Sequence, residues 1–293
     1  MIIFQPHCLR VFNNHHIVSP EALNFIVQRE TYEQLDDPIT WKEFMTAVNG
    51  MKNDKSPGAN GVPAEAIKAM NQANLSQVCN HINAFWNGSK DHAEWHTGNG
   101  TPVPKTPNPD DPNKYRVVTL MDVCSKTFSR ILCARSYKLL EKHGTKHQYG
   151  ATPRSGCQDG NFTLKTLLHL RRQHNQDTYV IFADLVKAYD TYNHELMIKV
   201  LERYGAPPKF RESIRRLYTD LKVVVKIGKE KAEIEQQVGV RQGDNVSSVI
   251  FLFLMSAFAE TLEKEWASSN ISQARFKNIT NLQEGQLTGH TKE

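Results

Sequence analysis

A carboxylate that directly follows an apolar run constrains this chain more than any other feature of its 293 residues. Residues 178–183 read TYVIFA, a composition typical of a buried strand. Asp184 comes next, and a carboxylate at the end of a strand needs an ionic partner or a metal ion. Asp190 follows six residues later, a spacing suited to holding Mg²⁺ against a phosphate. The alternative interpretation is that Asp184 only caps a helix.

The overall composition is that of a soluble globular protein, with 39% hydrophobic and 23% charged residues and room for one large core or two modest domains. The net charge of +5 permits a polyanionic partner without requiring one. Residues 199–231 contain ten basic and four acidic side chains, a local charge of +6. This segment is either a solvated helix face or a track for a phosphate backbone.

Three further patterns exclude classes of protein. The five cysteines are odd in number and form no C-x-x-C pair, which argues against a disulfide framework and a zinc site and predicts an intracellular, reducing compartment. The N-terminus has no basic flank and too short an apolar run for a signal peptide. The most apolar stretch, 246–259, is too short to span a bilayer, so we predict a buried helix there and no membrane association. No oligomeric state is indicated.

Hydrophobic periodicity and turn residues predict the order of the elements. Thr40 is predicted to cap a helix that begins at Trp41. Five prolines in 101–112 exclude a helix and favour an extended hairpin or loop. We predict helices at 41–51, 64–70, 75–86, 120–143, 159–174, 194–204, 208–221 and 246–266, and strands at 178–183, 222–227 and 232–240, the last two joined as a hairpin.

Four segments in this order resemble the reverse transcriptase domain of non-LTR retrotransposons across roughly residues 41–266. Residues 52–65 are similar to the opening K-x-P-G-x-D-G-I-P-x-E, with Asn60 in place of Asp. Residues 104–105 and 115–120 are similar to P-K…Y-R-P-I-S-L, with Val117 in place of proline. Residues 148–156 match Q-F-G-F-R-x-G loosely. FADLVKAYD at 182–190 and GVRQGD at 239–244 match two palm motifs closely, about 55 residues apart.

The resemblance implies an RNA-directed DNA polymerase that transfers nucleotides by two-metal chemistry. Its implied cofactor is Mg²⁺, with Mn²⁺ as an alternative, and its implied partners are an RNA template, a DNA primer and deoxynucleoside triphosphates. Asp184 would be the catalytic metal ligand, with the Leu185 carbonyl beside it. Tyr189 would be the steric gate that excludes a ribose 2′-oxygen; the alternative is an aromatic core residue. Nucleotide-binding roles fall on Arg116, Lys105, Gln242 and Gly243, and nucleic-acid contacts on Arg154, Arg241, Arg215 and Arg216.

The resemblance also predicts an α/β fold (α+β in some schemes) of the right-hand polymerase type. Its parts would be fingers at 41–175, a partial palm at 176–267 and an irregular tail at 268–293, while 1–40 has no assigned role. The family's second acidic motif, an aromatic-x-Asp-Asp turn, is expected after Trp266, yet only Glu284 and Glu293 are acidic there. We therefore predict a truncated domain without a thumb and with little or no polymerase activity, and apolar surface exposed around Phe251 and Phe253. The alternative is a non-catalytic RNA-binding remnant.

Overall fold

The chain forms a four-stranded sheet surrounded by helices. The computed structural model describes residues 4–13, 20–89, 92–185 and 187–269, so most of the predicted tail lies outside the described residues. The helices are α1 Phe4–Phe12, α2 Trp41–Asn49, α3 Ala64–Lys68, α4 Gln72–Trp86, α5 Val123–His143, α6 Cys157–Gln173, α7 His194–Arg203, α8 Pro208–Tyr218 and α9 Asn245–Ser268. The strands are β1 Thr97–Pro104, β2 Tyr115–Leu120, β3 Leu221–Ile227 and β4 Glu230–Gln236, and short 3-10 helices lie at Pro20–Leu23, Glu33–Asp36, Ala93–Trp95 and Pro112–Lys114.

The sheet joins strands that are far apart in the sequence, in the order β2-β1-β3-β4. β1 and β2 form an antiparallel hairpin, and β3 and β4 form another. β1 also pairs with β3 in parallel, so that Asn99 lies opposite both Leu120 and Val224. The predicted α/β class and the predicted hairpin of β3 and β4 are confirmed. β4 ends at Gln236, earlier than predicted, because the chain turns there toward the loop 239–244.

The core lies mainly between helices α5, α7, α8 and α9, and one large cluster of buried apolar side chains includes Phe128, Phe210 and Phe253. By length and composition alone α9 could cross a membrane. Eight of its residues, all in its first 13 positions, are buried inside the protein, as in the core helix of a globular domain. A smaller apolar cluster fixes α1, whose residues Cys8, Val11 and Phe12 pack on β3 and β4.

The predicted buried strand at 178–183 is wrong. Within the described residues, 178–185 pair with no strand, and Tyr179, Ile181 and Phe182 are 93%, 89% and 83% exposed. We call residues 178–185 the Asp184 segment. Helix α6 before it has no buried residue either. The apolar run has the composition of a strand, but the described chain supplies no neighbouring strand to pair with it.

The apolar surface that α9 exposes differs in part from the one predicted around Phe251 and Phe253. Phe253 is fully buried, which contradicts the prediction, and Phe251 is half-buried. The large apolar side chains that α9 does expose are Phe258 and Trp266. Phe253 is buried because it lies on the face of α9 that packs against Tyr204, with 5.4 Å between the two ring centroids.

The predicted cap of α2 is confirmed, and it is tied to the core through a buried arginine. The Thr40 hydroxyl accepts from the Glu43 N–H at 3.2 Å, and the Glu43 carboxylate accepts from the Thr40 N–H at 3.0 Å. Arg135 on α5 is 3% exposed and donates to both Glu43 oxygens, at 2.8 and 2.9 Å. It also donates to the carbonyls of Leu35 and Asp37. This arginine therefore fixes the chain before α2 against α5.

This ion pair predicts an acid-sensitive contribution to stability. Burial alone would raise the pKa of Glu43, but hydrogen bonds from Arg135 and Thr40 lower it from 4.5 to about 2. Because the pKa is lower in the folded state, the stabilisation is complete above pH 4.5 and is lost as the pH falls toward 2. Glu43→Gln keeps a capping side chain but removes the charge. We expect it to lower the free energy of unfolding at pH 7 by at most about 3 kcal/mol.

The measurement for this prediction is urea unfolding of both proteins at pH 7 and at pH 3. The difference in unfolding free energy between wild type and Glu43→Gln should narrow at pH 3. A difference that stays constant between the two pH values would contradict the assignment to the Glu43 charge.

A local contact explains how Asn60 fits where the family motif has an aspartate. The Asn60 side-chain amide donates to the Asp122 carboxylate, which itself caps α5 by accepting from the Cys124 N–H at 2.8 Å. An aspartate at position 60 would place a second carboxylate against Asp122, whereas an amide can donate to it. The loop and the start of α5 are in close contact here, since a Cβ on Gly58 would lie 2.5 Å from the Met121 carbonyl oxygen.

Candidate active site

A cavity of about 710 Å³ lies between the β1–β2 hairpin, residues 183–185 and 187–190, and the loop 241–244. It gathers every residue that the sequence assigned to metal or nucleotide binding: Lys105, Arg116, Asp184, Leu185, Tyr189, Gln242 and Gly243. Lys105 and Arg116 come from the ends of the hairpin, and Arg116 is exposed. Asp184 is also exposed and lies on the Asp184 segment. The structure thus brings these residues together, while their individual roles remain predictions.

Backbone hydrogen bonds hold the loop 187–192 against the loop 239–243. The Gly239 N–H donates to the Tyr192 carbonyl and the Val240 N–H to the Tyr189 carbonyl, both at 2.7 Å. The Gly239 carbonyl lies 2.6 Å from His194 Nε2. Gly239 has φ +80°, and a Cβ there would lie 2.6 Å from the Asp190 carbonyl oxygen. Glycine is therefore needed for both the conformation and the close approach.

The same loop is joined to the hairpin at β2. The Thr119 N–H donates to the Gln242 carbonyl at 2.7 Å. Gly243 has φ +111°, and a Cβ at this position would lie 2.8 Å from the Thr119 carbonyl oxygen. Three separate parts of the chain therefore meet at the residues 239–243, and the floor of the cavity is set by main-chain contacts.

Asp190 and Gln242 form the polar centre of this junction. The Gln242 amide Nε2 donates to Asp190 Oδ1 at 3.0 Å. Burial raises the pKa of Asp190, while the bond from Gln242 and the nearby cations of Lys187 and Lys105 act in the opposite direction. The sequence suggested that Asp190, by its spacing from Asp184, helps to hold Mg²⁺, and that role stays a prediction. In the structure the carboxylate contacts a side chain from another part of the cavity.

Tyr189 lies on the wall of the cavity formed by α9. Its ring stacks on Phe251, with 5.0 Å between centroids and an interplanar angle of 27°. The ring is half-buried, and burial raises the pKa of its hydroxyl. One face of the ring is therefore packed on the protein, while the residue still lines the cavity. The interpretation of Tyr189 as a packed aromatic describes part of this environment, and its role as a steric gate stays a prediction.

Comparison with known sequences decides the family. The profile described as "Reverse transcriptase (RNA-dependent DNA polymerase)" matches residues 103–278, which is more than half of the chain and includes every cavity residue named above.

The chain belongs to the reverse transcriptase family.

Its relatives are proteins of non-LTR retrotransposons, as the sequence motifs indicated. The chain is 25% identical over 72% of its length to the Pol polyprotein of the type-2 retrotransposable element R2DM of Drosophila melanogaster, and 24% identical over 73% of its length to an R2 Pol polyprotein of Popillia japonica. It is 23% identical over 82% of its length to the transposon TX1 149 kDa protein of Xenopus laevis. The chain spans 20%, 29% and 18% of these relatives, less than a third of each.

The loop 241–244 of this reverse transcriptase domain rests on a buried polar network. Arg241 is 2% exposed and donates to the Trp95 carbonyl at 2.8 Å and to Asp244 Oδ2 at 3.3 Å. Asp244 also accepts from the Ser129 hydroxyl and, at 3.2 Å, from the Val246 N–H at the start of α9. Asp244 is therefore the N-cap of α9. The Arg241 guanidinium is enclosed and bound to the protein, and its predicted contact with nucleic acid stays a prediction.

The remaining arginines with predicted nucleic-acid contacts lie away from the cavity. Arg154 is exposed on the loop before α6. Arg215 pairs with Glu212 at 2.6 Å and with Glu195 at 3.7 Å. Arg216 donates to the Phe85 carbonyl at 2.6 Å, and its guanidinium carbon lies 4.1 Å from the centroid of the Phe85 ring. Arg215 and Arg216 therefore contribute to packing and surface ion pairs, and their contact with nucleic acid stays a prediction.

Asp184 is the one carboxylate of the cavity without a strong contact to the rest of the described protein. Asp190 accepts from Gln242, and Asp244 lies in the buried network. Within the described residues, no group of three or more His, Cys, Asp or Glu side chains could hold a metal ion. Asp184 and the Leu185 carbonyl offer the hard oxygen ligands that Mg²⁺ prefers, but one carboxylate is too few for a two-ion site.

Proposed function

We propose that this chain carries the nucleotide-binding part of an RNA-directed DNA polymerase and that the cavity receives a deoxynucleoside triphosphate. The observation that supports this proposal is the convergence of Lys105, Arg116, Asp184, Tyr189 and Gln242 around one space. These residues come from three segments, and their side chains differ in the chemistry that each can offer to a nucleotide.

The cations of the hairpin suit the triphosphate. Arg116 is exposed and lines the cavity, and its planar guanidinium can donate two parallel hydrogen bonds to phosphate oxygens. Lys105 lies beside it, and its ammonium group also donates to the Asn113 carbonyl at 3.1 Å. Lys187 contributes a third positive charge from the opposite loop. Together these groups supply the attraction that a polyanion needs at the entrance.

The opposite wall suits the sugar and the metal ion. Tyr189 is held flat against Phe251, so its ring can define the width of the cavity where a sugar would lie. Asp184 and the Leu185 carbonyl would be ligands of a divalent ion, which supplies electrostatic stabilisation to the transferring phosphate when it is bound. The described residues provide no second free carboxylate for a second ion. We therefore propose nucleotide binding, and we expect no primer extension by the 293-residue chain.

The alternative, a protein that only binds RNA through residues 199–231, has less support. Arg211 pairs with Glu202 at 3.0 Å and Lys222 pairs with Glu233 at 2.9 Å. Arg215 and Arg216 have the partners given above. Three of the ten basic side chains in 199–231 are thus paired with carboxylates and Arg216 is bound to a main-chain carbonyl, which weakens the case for a continuous phosphate track.

The test is the affinity of the full chain for deoxyadenosine triphosphate with Mg²⁺. We expect Arg116→Ala to weaken binding about tenfold or more, because a charge-assisted contact to phosphate is lost. Arg154→Ala is the matched control, since it removes an exposed arginine outside the cavity and should leave the affinity unchanged. Isothermal titration calorimetry gives both values. Equal losses in the two variants would show that binding is non-specific and would contradict the proposed site.

A further inference from the structure

We propose that Asp190 is a positioning residue that orients the Gln242 side chain, so that Gln242 offers its carbonyl oxygen rather than its amino group to a ligand in the cavity. Gln242 lines the cavity, and its Nε2 lies 3.0 Å from Asp190 Oδ1. The identity of the ligand rests on the proposed function. The orientation itself rests on contacts within this chain.

The chemistry of the two groups fixes the direction of the amide. A glutamine amide has an amino end that donates and a carbonyl end that accepts, and either end can turn toward a neighbour. An ionised carboxylate can only accept, so the amino end must face Asp190. The Gln242 main chain is already fixed, because its carbonyl accepts from the Thr119 N–H at 2.7 Å. Only the side-chain torsions remain to be set, and Asp190 sets them.

The carbonyl end is then available. Among the described residues, none donates a hydrogen bond to Gln242 Oε1, while Nε2 is bound to Asp190. Asp190 is itself held by its own N–H, which donates to the Lys187 carbonyl at 2.8 Å. The acceptor at Gln242 is therefore built into the free protein and does not depend on a ligand to form.

The charges around Asp190 determine when this orientation holds. Lys187 and Lys105 face the carboxylate and favour its ionised form, and burial opposes them. His7 and Cys8 of α1 and Arg116 of β2 line the small cavity that Asp190 and Gln242 share. A protonated Asp190 could donate to Oε1, and the amide could then turn its amino end into the cavity. The ionised form of Asp190 therefore fixes the acceptor in the cavity, whereas the protonated form permits either orientation of the amide.

This orientation restricts the part of a ligand that can meet Gln242. Phosphate oxygens only accept hydrogen bonds at neutral pH, so a carbonyl oxygen would repel them. The groups that match are donors, a sugar hydroxyl or the amino group of a base. We infer that Gln242 contacts the nucleoside part of the ligand, while the cationic side of the cavity takes the phosphates.

The experiment is a pH titration of the ¹⁵N- and ¹³C-labelled full chain by nuclear magnetic resonance. The Gln242 side-chain amide signals are assigned by their disappearance in Gln242→Glu, and the Asp190 carboxyl carbon by its disappearance in Asp190→Asn. We expect the Gln242 amide protons to shift with the same midpoint as the Asp190 carboxyl carbon. Asp159→Asn, which removes a carboxylate outside the cavity, should leave that titration unchanged. Gln242 signals that do not respond to the ionisation of Asp190 would overturn the proposal. Triple-resonance assignment of the wild type allows this decision even where a variant fails to fold.

A second measurement tests which part of the ligand Gln242 contacts. The probes are deoxyadenosine triphosphate and inorganic triphosphate, each with Mg²⁺. Asp190→Asn should weaken the nucleotide by about three- to tenfold relative to inorganic triphosphate, the loss of one hydrogen bond, because the change in charge beside Lys187 and Lys105 acts on both probes. Equal weakening of both probes would contradict the assignment of Gln242 to the nucleoside. If neither probe binds the wild type, the proposed nucleotide function fails, whereas the titration still decides whether Asp190 orients Gln242.

Discussion

Replacing Asp244 by alanine is expected to lower the free energy of unfolding by about 3–5 kcal/mol, the largest effect of any single change that we predict. Asp244 is 6% exposed and is the ionic partner of Arg241, which is 2% exposed. Its removal leaves a buried guanidinium without a counter-charge and the Ser129 hydroxyl without its acceptor. It also removes the cap that accepts the Val246 N–H of α9. These losses act at one point of the core.

Urea unfolding at pH 7 measures the effect, and a double-mutant cycle separates its parts. Arg241→Met removes the cation and leaves the carboxylate buried, so it should also destabilise the fold. The double variant Arg241→Met/Asp244→Ala removes both charges, and we expect it to be more stable than the sum of the two single losses predicts, by roughly 1–3 kcal/mol. Two results would show that the pair of Arg241 and Asp244 is not the source of stability. One is that the losses in unfolding free energy of the two single variants simply add in the double variant. The other is a loss below about 1 kcal/mol for Asp244→Ala.

Gly239→Ala is expected to have the second largest effect, about 3 kcal/mol of lost stability. Its φ of +80° costs an alanine roughly 1–2 kcal/mol even where there is room. The added Cβ would also lie 2.6 Å from the Asp190 carbonyl oxygen and 2.7 Å from the Tyr189 carbonyl oxygen. The two loops must then separate, which breaks the bonds from Gly239 to Tyr192 and from Val240 to Tyr189.

Gly228→Ala is the matched control for this change. Gly228 lies between β3 and β4 and has φ +62°. A Cβ added there would meet no described atom within 4 Å. Its substitution therefore measures the cost of the backbone conformation alone, without a steric clash. We expect a loss of about 1–2 kcal/mol there, measured by the same urea unfolding. Similar losses for both glycines would mean that the contact between the two loops contributes little.

Much of the secondary structure could be predicted because its signals are local. The cap at Thr40, the proline-rich start of α8 and the turn at Gly228 are each readable within a few residues. The segment 178–183 has an equally clear local pattern, and the prediction failed there. A strand needs a partner, and a partner is a property of the whole fold. Helix α1 went unpredicted for the related reason that its apolar residues contact β3 and β4, more than 200 residues away.

Some features of the candidate site could likewise be predicted from the sequence, and others could not. The motif residues line one cavity in the structure, and the order of the motifs along the chain was the signal for this grouping, while their roles stay predictions. The burial of Arg241 was missed because an arginine beside a glycine-rich loop is usually exposed. The acid at position 244, three residues later and just before a long apolar run, was a usable signal for a buried pair. The contact of Asp190 with Gln242 joins residues 52 positions apart, and no local pattern indicates it.

The exposed Asp184 segment has a consequence for the behaviour of the protein in concentrated solution. Residues 178–183 are six consecutive uncharged positions, rich in β-branched and aromatic side chains and free of proline. Such a segment, with its backbone outside any sheet, has the properties that seed cross-β aggregates. The segment that carries Asp184, the predicted metal ligand, is thus also prone to amyloid-like self-association.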